Sequence, residues 1–599
     1  MTGKEVKWSE YQRRLEVVTT ALGAPVPQGG LGLRDDGTVI TPVKEMVGIM
    51  SENCIDYPVL VNSLLAATTP YTLISTHSTR FELLYALKLT RITRLFVQAK
   101  HLPLVVSVAE QVGISKERIY VVGSPEAIVD GHQTLSGLMA NVQKRRTPPV
   151  GVRLARVNSL AYLIFSSGTS GLPKAVMITH GSLSASLLQA ATIGMSNTNP
   201  PPIIPNREGN PVGLAFLPMH HVYGLGAYAQ RTFWKPIKLI MMPRWNVDDA
   251  LRLIKKYEIT HLALVPAAVH QLAHHPKVSK DHFKSIMNAG CGAVYTPFEL
   301  VNKFQQYLPV EMEFLVGSSL TPPFPFLPPY PHSPHPLPSP PPPHPPAGYG
   351  MSEGTFNATV QPSLGTISLT TNTPILKTPG EGSIGVLNPG MEGRVLREDG
   401  SDAEFGEVGE LYLRGGNIVP GYWENEGANR ETFVRFADGD GDEKERGKGK
   451  GRWLNTGDRV WVTEGGAVFY ADRKKDTLKI SGSQVSPVEI ENVLLAHPDR
   501  LITDASVAGV TPTENGNRKD LEEKVPRAWV VLSDEGKRRG EEGSIVELDR
   551  WSKESLSRYK WLRGGIEIVQ EIPKNPTGKT MRRVLVDAYE NKLKTKSKL

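Results

Sequence analysis

Cysteine is nearly absent: Cys54 and Cys291 are the only two among 599 residues. A disulfide framework and a cysteine zinc site are both excluded. Long apolar runs are missing too, since none approaches the roughly 18 residues of a membrane span. The opening stretch, MTGKEVKW, lacks the apolar centre of a signal peptide. These absences read as a soluble, intracellular protein with no membrane span. With 40% hydrophobic and 22% charged residues, the chain is neither wholly disordered nor collagen-like nor a coiled coil. Its length calls for several compact units rather than one core. The net charge of +7 is local: residues 574–599 hold eight Lys or Arg against Asp587 and Glu590, which leaves +1 for everything before them. No basic groove for nucleic acid is implied.

What is present is an alternation of two periodicities. Residues 8–22 space Trp8, Tyr11, Leu15, Val18 and Leu22 as one helical face, with Ser9 as a candidate cap. LAYLIF (160–165) reads as a buried strand running into a loop, and LAFL (214–217), IKLIMM (237–242) and HLALV (261–265) as further buried strands. VDDALRLIKKY (247–257) is an amphipathic helix between the last two. Strands alternating with helices point to a parallel α/β sheet. Beyond about residue 380 glycine becomes dense, and GELYLRG (409–415) and GAVFYADR (466–473) suggest antiparallel or barrel-like structure. ITDASVAGV (502–510) and RAWVVL (527–532) suggest a small final α/β unit. Residues 196–211 and 438–451 read as solvated loops.

Five segments carry chemistry. Ser166-Ser-Gly-Thr-Ser-Gly-Leu-Pro-Lys174 exposes backbone N–H groups and hydroxyls beside a lysine, the parts of a phosphate cradle, although Pro173 rules out a Walker A loop. Gly348-Tyr-Gly-Met-Ser-Glu-Gly354 offers an aromatic face for a base and a carboxylate for Mg²⁺. Leu454-Asn-Thr-Gly-Asp458 ends in a carboxylate suited to ribose hydroxyls, with an Asx turn as the plainer reading. Asp472-Arg-Lys-Lys475, followed by Leu478-Lys-Ile-Ser-Gly-Ser-Gln484, is either functional or a charged surface turn. Pro573-Lys-Asn-Pro-Thr-Gly-Lys579 sets a lysine on a rigid loop or is a basic tail loop. The adjacent His220 and His221 lack a carboxylate partner and are not read as metal ligands. Cys291 reads as a small buried filler rather than a nucleophile.

In this order, the five segments resemble the adenylate-forming (AMP-binding) superfamily, from about residue 8 to residue 590. The nearest look is that of the 4-coumarate–CoA ligase-like branch with its fungal peroxisomal acyl-CoA ligases. Leu217-Pro-Met-His-His-Val-Tyr-Gly224, Gly382-Ser-Ile-Gly385, Gly409–Gly415 and Gly421-Tyr-Trp add to the likeness. The resemblance implies an α/β fold: an N-terminal AMP-binding domain (1–472) of two α/β subdomains and a β-barrel subdomain, then a small mobile α+β lid (473–599). It implies an acid–CoA ligase that activates a small carboxylic acid with ATP and Mg²⁺ to acyl-AMP and passes the acyl group to coenzyme A. Alternatives are a stand-alone adenylation enzyme loading a carrier protein, a luciferase-like oxygenase, and a non-catalytic pseudoenzyme.

The resemblance also implies residue roles. Ser166, Ser167, Gly168, Thr169, Ser170 and Lys174 hold the β- and γ-phosphates. Gly348 and Tyr349 meet adenine by stacking, Ser352 sits near the α-phosphate, and Glu353 binds Mg²⁺. Asp458 and Arg473 hold the ribose. Lys579 bridges the attacking carboxylate and the α-phosphate, and Lys475 is the lid's hinge. Arg244, Lys479, Ser481 and Gly482 fall where the family meets CoA or the nucleotide. His221, Tyr223, Gly290, Cys291 and Gly292 border the acyl group.

Three departures stand out. Ala347 replaces the usual Gln before Gly-Tyr-Gly. Residues 317–347 contain a run with 15 prolines among the 26 residues 321–346, a density that excludes helix and central strand. It reads as a translated intron, or else as a docking loop for an SH3-like partner. By comparison with relatives, roughly 30–40 N-terminal residues are expected before the first helix. Finally, Ser597-Lys598-Leu599 is the tripeptide read by the peroxisomal import receptor, behind a lysine-rich and therefore solvated tail. A fluorescent protein carrying the last twelve residues is expected to form puncta with a peroxisomal marker and to disperse without Leu599; diffuse signal from the intact tail would overturn this localisation.

Overall fold

The computed structural model describes residues 3–33, 44–166, 173–195, 204, 206–230, 237–292, 298–309, 315–316, 349–360, 383–436, 451–473, 478–480, 483–485, 487–511, 524–556, 560–574 and 580–596. The first element is the helix Trp8–Gly23, capped by Lys7 without a side-chain bond rather than by Ser9. Its Val18, Ala21 and Leu22 enter the core, and Arg14 forms a buried ion pair with Asp56.

Two parallel sheets follow. In the first, the strands run in the order Ile119–Val122, Arg94–Gln98, Val47–Met50, Tyr71–Leu73, Leu160–Ser166, Lys174–Thr179, and only the last pair is antiparallel. Val47 and Ile49 face one core cluster while Met46 and Met50 face another. Burial on both faces is why these strands read as continuous apolar runs rather than alternating ones. The second sheet is parallel throughout, in the order Lys238–Met241, Val212–Ala215, His261–Leu264, Asn288–Cys291, Leu315–Val316. The strand Lys238–Met241 is half-buried, not buried as its composition implied, because it lies at the edge of the sheet. The helix Val247–Lys256 begins where the Asn246 side chain accepts from Asp249 N–H (2.9 Å). Asp248 and Asp249 lie in its first turn and Lys255 and Lys256 in its last, complementing the helix dipole.

The glycine-rich region is antiparallel, as expected: Met391–Leu396, Gly409–Gly415, Trp453–Val462 and Phe433–Val434 pair in that order, with Val468–Arg473 added to Trp453–Val462. A small C-terminal sheet pairs Ile502–Val510 with Val525–Leu532 antiparallel, and the latter with Ile566–Ile568 parallel. Its two faces bury Ala528 and Val530 on one side and Trp529 with Tyr589 on the other. The chain is thus mixed α/β, with a large N-terminal part and a small C-terminal one. Among the described residues no helix is long and apolar enough to cross a membrane.

Burial pushes three imidazoles down to about 4: His221, with His77 adding to the effect, His261, and His270, which stacks on His274. In the unfolded chain each titrates near 6.5. Between these values the unfolded state binds protons that the folded state refuses, so stability is full above pH 6.5 and falls as pH drops. The urea midpoint is expected to decline from pH 6.5 to 5, above the main carboxylate range. A flat midpoint over that interval would contradict the neutral state of these half-buried rings.

Candidate active site

The phosphate-cradle motif begins where the strand Leu160–Ser166 ends. Ser166 lies directly across from Lys174 in the antiparallel register, so the described ends of the motif are held side by side by a hairpin. The Ser166 hydroxyl donates to Glu353 Oε1 (3.3 Å), and the Tyr422 hydroxyl donates to the same oxygen (2.9 Å). Lys174 Nζ sits 4.7 Å from the centre of the Tyr422 ring. Burial, together with the Glu353 charge, raises the Tyr422 phenol far above its usual range, which keeps it a donor. Tyr422 reaches this place because its segment extends the hairpin edge: Met177 N–H donates to Gly421 O (3.0 Å) and Trp423 N–H to Ala175 O (2.8 Å). Tyr422 belongs to the Gly421-Tyr-Trp signature, but its bond to Glu353 has no local sequence signal.

Glu353 lies in the short 3-10 turn Ser352–Gly354, which also carries Ser352. The turn ends on Thr355 in the left-handed region (φ 57), whose hydroxyl donates to Asn417 O (2.5 Å). Upstream, Tyr349 is half-buried and its hydroxyl donates to Asp458 Oδ2 (2.5 Å). Asp458 is 2% exposed and lies opposite Arg473 in the register. The predicted Asx turn is real: Asn455 Oδ1 accepts Gly457 N–H (2.8 Å), and Gly457 has φ +68. The turn and the carboxylate coexist, so the two readings of this motif were not exclusive.

Of the residues expected to border the acyl group, Tyr223 reaches the same turn through Phe356. Tyr223 is buried, with its ring edge-on to Phe356 at 6.3 Å, and burial lifts its hydroxyl well above the usual range, Cys291 adding to that. Phe356 itself lies against Gly226, where an added Cβ would come within 2.4 Å of the ring. His221 caps the short helix Val222–Leu225. Gly290 and the fully buried Cys291 lie in the strand Asn288–Cys291, with Gly292 just beyond it. Arg244, 63% exposed, forms an ion pair with the buried Glu52, which also holds Lys100.

Among the described residues no group of three or more His, Cys, Asp or Glu could hold a metal ion. The oxygen-only set at Glu353, a carboxylate beside the Ser166 hydroxyl, nevertheless suits Mg²⁺, which is commonly held by one carboxylate with waters and substrate phosphates. Ser167, Gly168, Thr169, Ser170, Gly348, Lys475, Ser481, Gly482, Lys579, Ser597–Leu599 and the proline-rich stretch 317–347 lie outside the described residues. For Arg473 and Lys479 only the backbone of their strands is described.

The AMP-binding enzyme model fits residues 40–319 and 344–423, and the AMP-binding enzyme C-terminal domain fits 489–579. The break between the first two ranges falls within the proline-rich stretch. The chain belongs to the AMP-binding enzyme family, the adenylate-forming superfamily. It is 27% identical to acyl-CoA synthetase 7 of Caenorhabditis elegans, over 86% of this chain and 81% of that protein. It is likewise 27% identical to 4-coumarate–CoA ligase-like 6 of Arabidopsis thaliana, over 74% and 65%. ATP-bound MatB from Rhodopseudomonas palustris shares its fold, with a TM-score of 0.72 at 20% identity, covering 98% of this chain and 94% of that one.

If Tyr349 stacks on adenine, the ring and the hydroxyl separate by substitution. Tyr349→Phe loses one hydrogen bond to Asp458 and is expected to keep ATP affinity within about tenfold. Tyr349→Ala loses the stacking face, worth about 1–3 kcal/mol or roughly five- to 150-fold in affinity. Equal losses in the two variants, measured by ATP titration, would remove the stacking role.

Proposed function

We propose that this protein is an acid–CoA ligase that converts a carboxylic acid, ATP and CoA to an acyl-CoA, AMP and pyrophosphate. The observation that carries the reading is the turn 352–356. Glu353 touches the phosphate-motif hairpin through Ser166, while three residues later Phe356 packs against the acyl-side Tyr223 and Gly226. Family membership and the names borne by its relatives support it.

In the first step the acid's carboxylate oxygen attacks the α-phosphorus, the α–β bridge breaks, and pyrophosphate leaves. Positioning and charge neutralisation dominate such chemistry. Ser166 and Lys174 hold the triphosphate end, Ser352 lies by the α-phosphate, and Tyr349, Asp458 and Arg473 hold the nucleoside. Glu353 would hold Mg²⁺, which when bound neutralises phosphate charge. Lys579 stabilises the charge developing on the α-phosphate. In the second step the CoA sulfur attacks the acyl carbonyl, losing its proton, and AMP departs. Arg244, Ser481 and Gly482 serve CoA, Lys479 serves the nucleotide, and the part of the chain after Lys475 turns between the steps. Residues 317–347, which run up to the Gly348 motif, are an insert: a translated intron or a docking loop for an SH3-like partner. Ser597-Lys598-Leu599 addresses the enzyme to the peroxisome.

Lys579→Ala is expected to slow acid-dependent ATP–pyrophosphate exchange by about 10²–10³-fold, the usual cost of one electrostatic donor. CoA should still consume acyl-AMP supplied directly. Equal loss in both half-reactions would sink the role of Lys579, and exchange without any CoA-dependent consumption of acyl-AMP would favour loading of a carrier protein instead.

A further inference from the structure

Two ion pairs bracket the segment that ends in Lys579. Lys574 and Thr580 form an antiparallel bridge, and Met581 N–H donates to Pro573 O (2.8 Å), so the chain on either side of 575–579 is joined as a hairpin stem. Each side of the stem is tied to a different element. On the leading side the Lys574 ammonium pairs with Asp504 Oδ2. On the trailing side Arg582 donates twice to Glu491, at 2.9 and 3.0 Å. Glu491 lies on the helix Pro487–Leu495 and also accepts Val507 N–H (2.7 Å), so that anchor is part of the domain's packing.

The Asp504 anchor is of another kind. It lies on the strand Ile502–Val510, where the register with Val525–Leu532 shifts between Ile502 and Asp504. Such an irregularity breaks the alternation of side chains and re-aims one of them. Asp504 Oδ1 accepts the N–H of its own neighbour Ala505 (3.0 Å), leaving Oδ2 on Lys574. Both members of the pair keep about a quarter of their side-chain surface exposed. An ion pair that is so exposed adds little stability by itself. A strand irregularity that aims a carboxylate at the stem residue Lys574 has a geometric use instead.

We propose that Asp504 is a positioning residue for adenylation: through Lys574 it fixes the stem that flanks residues 575–579, on which the action of Lys579 at the α-phosphate depends. The proposal rests on the role given to Lys579 above. Because Lys579 acts only where charge develops on phosphorus, loosening the stem costs the first half-reaction and spares the second. Misplacing a catalytic group by about 1 Å can cost on the order of 10²-fold.

The test uses the full chain and whichever acid in a panel of aryl and medium-chain acids gives the strongest ATP–pyrophosphate exchange, with its chemically made acyl-adenylate for the CoA step. Asp504→Asn is expected to lower the exchange kcat by about ten- to a hundredfold, with KM for ATP and the CoA step held within about twofold. The exchanged pair, Asp504→Lys with Lys574→Asp, is expected to recover most of the exchange rate, as coupled residues do in a double-mutant cycle. Parallel loss of both half-reactions with a lower melting temperature would make Asp504 merely structural and overturn the proposal. So would full exchange activity in Asp504→Asn when Lys579→Ala has lost it. Exchange undiminished in Lys579→Ala, or no exchange with any acid, would instead bring down the reading on which the proposal rests.

Discussion

One carboxylate oxygen ties the nucleotide side of this protein together. Glu353 Oε1 accepts from Ser166 at the end of a strand of the first sheet and from Tyr422 on the segment that edges the Lys174–Thr179 strand. Hydrogen bonds to an ionised acceptor are stronger than neutral ones. Sharing one acceptor fixes three stretches of chain, far apart in sequence, at one point. Lys174 over the Tyr422 ring adds a cation beside that carboxylate. The hairpin, the Ser352–Gly354 turn and the Gly421–Trp423 segment therefore cannot shift independently.

The second constraint is steric. Gly226 has no Cβ, and Phe356 occupies the space where one would be. That contact sets the distance between the helical segment Gly226–Gln230 and the stretch that follows the turn carrying Glu353. Tyr223 meets Phe356 edge-on at one end of this turn, and Ser166 and Tyr422 bond Glu353 at the other.

The C-terminal part is built around its own small sheet, with an apolar cluster on each face. Its stem at Lys574 and Thr580 is tied to a strand through Asp504 and to a helix through Glu491. The two anchors differ in burial. Burial raises the Glu491 carboxyl above its ordinary range against the pull of Arg582, whereas Asp504 keeps contact with water.

Much of the fold was legible in the sequence because it is local. Apolar runs marked the strands Leu160–Ser166 and His261–Leu264, helical spacing marked Trp8–Gly23 and Val247–Lys256, and glycine density marked the antiparallel region. The ordered motifs were enough to name the family. Errors were of the local kind as well: Ser9 does not cap its helix, and the strand Lys238–Met241 is an edge strand, which hydropathy alone does not reveal. Tertiary structure decided the rest. Tyr422 meeting Glu353, Phe356 filling the place of a side chain at Gly226, and Asp504 turned by a strand irregularity onto Lys574 each join residues about 70 to 130 positions apart. Periodicity reports which face of an element is apolar. Which distant element it meets depends on chain closure and packing, and that is set only when the whole core assembles.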